Sequence, residues 1–197
     1  MIVTTSILKE KYNDYNNPID KIKRECDKGN LIRINKGIYE TDKTCEPYFI
    51  ANVLLNPSYV SFEFALSMYG LIPERVTVIT SASFQQRKNK SYTNYFGRFE
   101  YSDIPARVYP YEVSYYESRG YFVKIASKEK ALCDSLYKWR VVHSITDLKQ
   151  MLFEDKRIDI NEFEQCDFEK IISLAKLYNS TNLNLLIKLI KKEFIHE

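Results

Sequence analysis

The sequence predicts an α+β fold, and three observations carry that prediction. Apolar residues recur at helical spacing in segments such as 62–69, 131–139, 168–178 and 183–194. Other segments, such as 76–80 and 121–126, are short and rich in β-branched and aromatic residues. Strands and helices interleave through the middle of the chain, whereas the part after about residue 140 reads as helix alone. That order suits a small mixed α/β layer followed by a helical tail.

The first unit spans residues 1–44. Thr4 or Thr5 caps a helix that runs to about Tyr15, with Ile7, Leu8, Tyr12 and Tyr15 as its apolar stripe. Asn16-Asn17-Pro18 breaks it, and Pro18 suits the first turn of the next helix, where its missing N–H would be unpaired anyway. That second helix buries Ile19, Ile22 and Cys26 and stops at Gly29. Its other face carries Asp20, Lys21, Lys23, Arg24, Asp27 and Lys28. Next come a strand over 31–34, a turn at Asn35-Lys36-Gly37 and a returning strand over 38–40, with Gly37 supplying the positive φ of the turn.

A basic helix joined directly to a small basic hairpin has the outline of a winged helix-turn-helix. It is a truncated one, because a single helix precedes the reading helix. On that reading Lys21, Lys23, Arg24 and Lys28 lie near a major groove, and Arg24 and Lys21 reach base edges. Arg33 and Lys36 sit on the adjoining phosphates with Asn35 in the turn between them. The plainer alternative is a solvated helix face beside a surface hairpin.

The second unit begins at about residue 45 and continues to 197, its helical part being about 141–197. Residues 47–55 form a short apolar helix. Ser58 or Ser61 caps another, with Phe62, Ala65, Leu66 and Tyr69 on one face, which Gly70 and Pro73 end. Strands are expected over 76–80, 94–101, 108–116 and 121–126. Ser127 caps a helix with Ala131, Leu132, Ser135, Leu136 and Trp139 on one side. Beyond it, helices are expected over 147–153 and 168–178, and from Thr181 onward.

Two further surfaces invite a partner. Arg87, Lys88, Lys90, Tyr92 and Arg98 interleave basic and aromatic side chains, as phosphate- and base-binding surfaces do, although a solvated loop between two strands is the better explanation. Tyr109, Tyr111, Tyr115, Tyr116 and Tyr121 form a dense tyrosine cluster suited to an interface or to a half-exposed strand pair.

The net charge of +3 permits nucleic-acid binding without demanding it. Cys26, Cys45, Cys133 and Cys166 lack metal-ligand spacing and fit reduced thiols of a cytoplasmic protein. There is no signal-peptide pattern and no apolar run long enough to span a membrane. Only two histidines occur, His143 and His196. No phosphate-cradling glycine loop, nucleophile elbow or metal motif is present, so neither catalysis nor a cofactor is expected.

Two runs are more specific than composition. They read YVSFEFALSMYGLIP at 59–73 and IASKEKALCDSLY at 125–137. Together with residues 33–39 they resemble the AbiEi-like antitoxin family of type IV toxin–antitoxin systems, over about residues 5–140. The resemblance implies a bacterial winged-helix transcriptional regulator that represses its own operon by binding repeats in promoter DNA. It also implies an antitoxin that counters a nucleotidyltransferase toxin without being an enzyme itself. An interaction module without DNA binding, its N-terminal element vestigial, is the other expectation.

Overall fold

The computed structural model describes residues 1–86 and 88–195. The protein is a mixed α+β molecule. Its first unit comprises β1 (Ile2–Thr4), α1 (Thr5–Lys11), α2 (Pro18–Asp27), β2 (Ile32–Asn35) and β3 (Ile38–Glu40). The three strands form an antiparallel sheet in the order β1-β3-β2. Strand β1 was not expected, since three residues are too few for an alternating pattern to show. Helix α1 begins as expected, with the Thr4 hydroxyl accepting from the Ile7 amide at 3.4 Å, but it ends at Lys11 rather than near Tyr15.

The two faces of this small sheet do different things. Val3, Leu8, Ile22 and Leu31 form a core between sheet and helices. Ile7, Tyr15 and Ile19 lie outside it, exposed, against the expected stripes. One face of three short strands covers little more than one side chain per helix. On the opposite face Ile32 and Ile34 pack with Phe49, Val60, Phe96, Phe99 and Val123 from the rest of the chain. The Asn94 side-chain amide also donates to the Ile34 carbonyl at 3.1 Å. Residues 1–44 therefore share a core with the second unit.

The larger sheet contains β4 (Ser58–Val60), β5 (Ile79–Ser83), β6 (Lys90–Asn94), β7 (Gly97–Asp103), β8 (Val113–Ser118) and β9 (Tyr121–Ala126). Their order is β6-β7-β5-β4-β9-β8, with β5/β7 and β4/β9 parallel and the other pairs antiparallel. Ser58 thus lies in a strand, not at a helix cap. The strand expected over 94–101 is instead the turn and second half of a hairpin. Asn94 Oδ1 accepts from the Phe96 amide at 2.9 Å and reverses the chain there. The strand expected from 76 starts at Ile79, and the one expected from 108 starts at Val113, after a 3-10 turn at Ala106–Val108.

A 3-10 turn (Pro47–Ile50) leads into α3 (Ala51–Leu54), and both contribute to the core between the large sheet and the N-terminal one. The other face of the large sheet is covered by α4 (Phe62–Met68), α5 (Lys128–Lys138) and the C-terminal helices α6 (Ile145–Lys149), α7 (Ile160–Glu164), α8 (Phe168–Tyr178) and α9 (Thr181–Glu193). Helix α6 runs on into a π-helical turn at Gln150–Asp155. The C-terminal helices are a packed layer rather than a tail. They cover the outer side of α5, so residues 129 through 136 are buried on every side of that helix, not on one stripe. Among the described residues no helix is long and apolar enough to cross a membrane.

Candidate nucleic-acid interface

Helix α2 starts at an Asn17 cap whose Oδ1 accepts from the amides of Ile19 at 3.1 Å and Asp20 at 3.4 Å, with Pro18 in the first turn. It ends where the Gly29 amide donates to the Cys26 carbonyl and the Asn30 amide to the Glu25 carbonyl, both at 2.9 Å. Ile22, buried in the small core, fixes the rotation of the helix. Lys23, Arg24 and Lys28 consequently face solvent, with Asp20 and Asp27 exposed among them.

Lys21 is held differently. Its ammonium lies 2.9 Å from Glu25 Oε1 and 4.8 Å from the centre of the Tyr15 ring. The hydrogen bond to Glu25 is the main reason its pKa is raised. Glu25 is held below the usual carboxylate range first by the Asn30 amide and then by Lys21. A base edge would have to compete with those partners for Lys21.

In the hairpin, alternation sends Ile32 and Ile34 inward and Arg33 and Asn35 outward. Arg33 pairs across the ladder with Tyr39, and its Nε donates to the Asn35 carbonyl at 3.4 Å. Asn35 Oδ1 accepts from the Lys36 amide at 2.8 Å, so this side chain shapes the turn. Gly37 adopts φ +77°, and its carbonyl accepts from the Thr5 amide at 2.9 Å, which pins the hairpin tip to the start of α1. Burial raises the Cys26 thiol, and the positive charge of Arg33 opposes that shift, as expected for a guanidinium alongside α2.

Five cations, Lys23, Arg24, Lys28, Arg33 and Lys36, are therefore exposed on α2 and the hairpin that follows it. None of them forms an ion pair among the described residues. Sequence reasoning missed a sixth, Lys43. Its ammonium lies 2.9 Å from where a Cβ on Gly29 would stand, against the C-terminal end of α2. No local pattern marks it, because it comes from the loop after β3 and is placed there only by the fold.

The second basic surface is less concentrated. Arg87 lies outside the described residues. Lys88 is exposed, Lys90 donates to Gln86 Oε1 at 2.6 Å, and Arg98 pairs with Glu100 on the same strand. Tyr92 packs edge-on against Tyr101 with ring centres 5.7 Å apart. The tyrosine cluster divides as well. Tyr111, Tyr115 and Tyr116 are exposed, whereas Tyr109 sits against Phe84 and Tyr59 with its phenol pushed up to about 12 by burial. Tyr121 donates to Glu40 Oε1 at 2.9 Å.

The runs at 59–73 and 125–137 meet inside the protein. Lys130 and Asp134, one turn apart on α5, form a wholly buried ion pair at 3.1 Å. The ammonium uses its three protons on Asp134 Oδ1, the Val108 carbonyl (2.9 Å) and the Tyr178 oxygen (2.5 Å). Asp134 Oδ1 also accepts from the Tyr178 hydroxyl at 2.6 Å, and Oδ2 accepts from Tyr59 at 2.9 Å and Ser61 at 2.7 Å. Burial lowers the Lys130 pKa against the pull of Asp134. This network ties α5 to β4, α8 and the turn before β8. Glu129, in the first turn of α5 where a negative charge suits the helix dipole, additionally accepts from the Asp167 amide at the start of α8 (3.2 Å).

The remaining chemistry is sparse. Burial raises the Cys45 thiol to about 11 and the Cys166 thiol to about 12, which leaves both unreactive near neutral pH. Among the described residues no group of three His, Cys, Asp or Glu side chains is placed to hold a metal ion. No protein-family model and no curated protein matches the chain.

Proposed function

We propose that the protein is a DNA-binding regulator that reads duplex DNA with α2 and braces against the backbone with the β2–β3 hairpin. The observation that carries this reading is the set of five exposed cations on adjoining elements, free of ion pairs among the described residues. Arg24 lies mid-helix between Asp20 and Lys28 and is assigned to a base edge. Lys23, Lys28, Arg33 and Lys36 are assigned to phosphates. Asp20 and Asp27 on the same face weaken non-specific attraction and favour discrimination between sequences.

With the resemblance of the two runs to AbiEi-like antitoxins, the reading extends to an autorepressor that counters a nucleotidyltransferase toxin encoded beside it. A reporter fused to the protein's own upstream region tests the first part. Repression by the wild type that is lost in Arg24→Ala supports the proposal, and an unrepressed reporter refutes it. Co-expression with the adjacent reading frame tests the second part: cells rescued from a toxic neighbour support it, and rescue absent despite soluble protein refutes it. Point variants are the right tools, because deleting residues 1–44 would strip Ile32 and Ile34 from a shared core.

A further inference from the structure

The two edges of the six-stranded sheet are unlike. Edge strand β6 carries Lys90 and is tied near its end to the N-terminal sheet through Asn94. Edge strand β8 (Val113–Ser118) has no Lys, Pro or Gly and keeps an unbroken register with β9. Its central residues Ser114, Tyr115, Tyr116 and Glu117 are all exposed. Proteins ordinarily blunt a free edge with lysine, proline or a bulge.

The register fixes which backbone groups are free. Arg119 and Gly120, both at positive φ, make the two-residue turn that joins β8 to β9, so the closing pair Ser118/Tyr121 is hydrogen-bonded. The bond from the Ser127 amide to the Glu112 carbonyl at 2.8 Å gives the same phase at the other end. Alternate pairs therefore face β9, and Val113, Tyr115 and Glu117 turn their N–H and C=O groups outward. Those three positions are symmetric about Tyr115. The side chains at 113, 115 and 117 share a face with Phe122 and Lys124, where Tyr115 is 71% and Phe122 60% exposed.

We infer that β8 pairs with β8 of a second copy of this chain, antiparallel about a two-fold axis through Tyr115. Val113, Tyr115 and Glu117 then meet Glu117, Tyr115 and Val113 of the other copy through about six backbone hydrogen bonds. The charges suit this occupant. Each Glu117 faces a valine, and the two glutamates stand roughly 14 Å apart, four residues along the strand direction. Each Lys124 already lies over its own Tyr115 ring, 5.7 Å from the centre. The two Tyr115 rings and the flanking Phe122 side chains become one aromatic stripe.

Sedimentation and light scattering of the full chain without DNA test this independently of the proposed DNA binding. The wild type is expected at the mass of two chains. Tyr115→Pro removes only an outward N–H, and Tyr115→Lys places like charges opposite each other. Both are expected at the mass of one chain with wild-type circular dichroism and melting, whereas Tyr95→Lys at the far β6–β7 turn stays dimeric. Tyr115→Cys, in which the two introduced thiols face one another, is expected to cross-link between chains on oxidation. A monomeric wild type overturns the inference. So does a dimer that survives both Tyr115 substitutions, or one whose Tyr115→Cys form does not cross-link.

Discussion

Among the described residues, two lysine–carboxylate pairs share the same helical spacing, and they do opposite work. Lys21–Glu25 on α2 is closed at 2.9 Å and Lys130–Asp134 on α5 at 3.1 Å. The first stands at the surface beside Tyr15, where water and salt offset most of its attraction. The second is wholly buried among α5, β4, α8 and the turn before β8, and every donor and acceptor in it has a partner. Spacing alone does not set the role of an ion pair; what covers it does. On α2 the pair holds Lys21 back while its neighbours Lys23, Arg24 and Lys28 stay unpaired and exposed, and on α5 the covered pair holds four elements together.

The largest effect that sharpens this contrast is at Asp134. Asp134→Ala leaves a buried ammonium without its counter-ion and three hydroxyls without their acceptor. It is expected to cost about 3–5 kcal/mol in urea denaturation, and a loss below about 1 kcal/mol would break the account of the network.

Alkaline titration probes the same region. Burial raises the phenols of Tyr59, Tyr101 and Tyr178 above their ordinary value of 10.0. Above pH 10 the unfolded chain releases those protons first, so the folded state binds more and stability falls, by about 1.4 kcal/mol per pH unit for each phenol. Lys130 acts in the other direction. Its folded pKa lies below 10.5, so its penalty is relieved as pH rises toward that value. Three phenols outweigh one lysine, and denaturation midpoints are expected to drop between pH 9 and pH 11, less so in Tyr178→Phe.

Smaller effects belong to the N-terminal face. Arg24→Ala is expected to lose about 1–3 kcal/mol of binding to the cognate site and to relax its specificity, read by competition with unrelated duplex. Lys28→Ala is expected to weaken all sequences alike and to reduce the salt slope by about 1. Lys21→Gln is expected to change DNA affinity least of the α2 cations, since Glu25 and Tyr15 already hold that side chain. A loss as large as that of Arg24→Ala would erase the distinction between paired and unpaired charges.

Much of the fold was legible because the relevant signals are local. Pro18, Gly29 and Gly37 mark the ends of α2 and the hairpin turn, and Ser127 caps α5 as expected. The three-residue strands β1 and β4 were not, because their identity comes from distant partners. The turn between β6 and β7 had a signal, Asn94 with Gly97 three residues later, that the aromatic residues between them masked. The cations of α2 and the hairpin were legible residue by residue, whereas Lys43 and the buried partners of Lys130 were not. Lys130 and Asp134 carry no local sign of burial, and only partners from β4, the turn before β8 and α8 make them interior.

A salt series of fluorescence anisotropy on the protein's own upstream duplex, with an unrelated duplex of equal length alongside, tests the central claim most directly. If Lys23, Lys28, Arg33 and Lys36 neutralise phosphates and displace counterions, log affinity is expected to fall with log salt at a slope of about −3 to −4. The upstream duplex is expected to bind at least ~10³-fold more tightly than the unrelated one. Equal affinity for the two duplexes, or affinity indifferent to salt, would contradict a DNA-reading role for α2 and its hairpin.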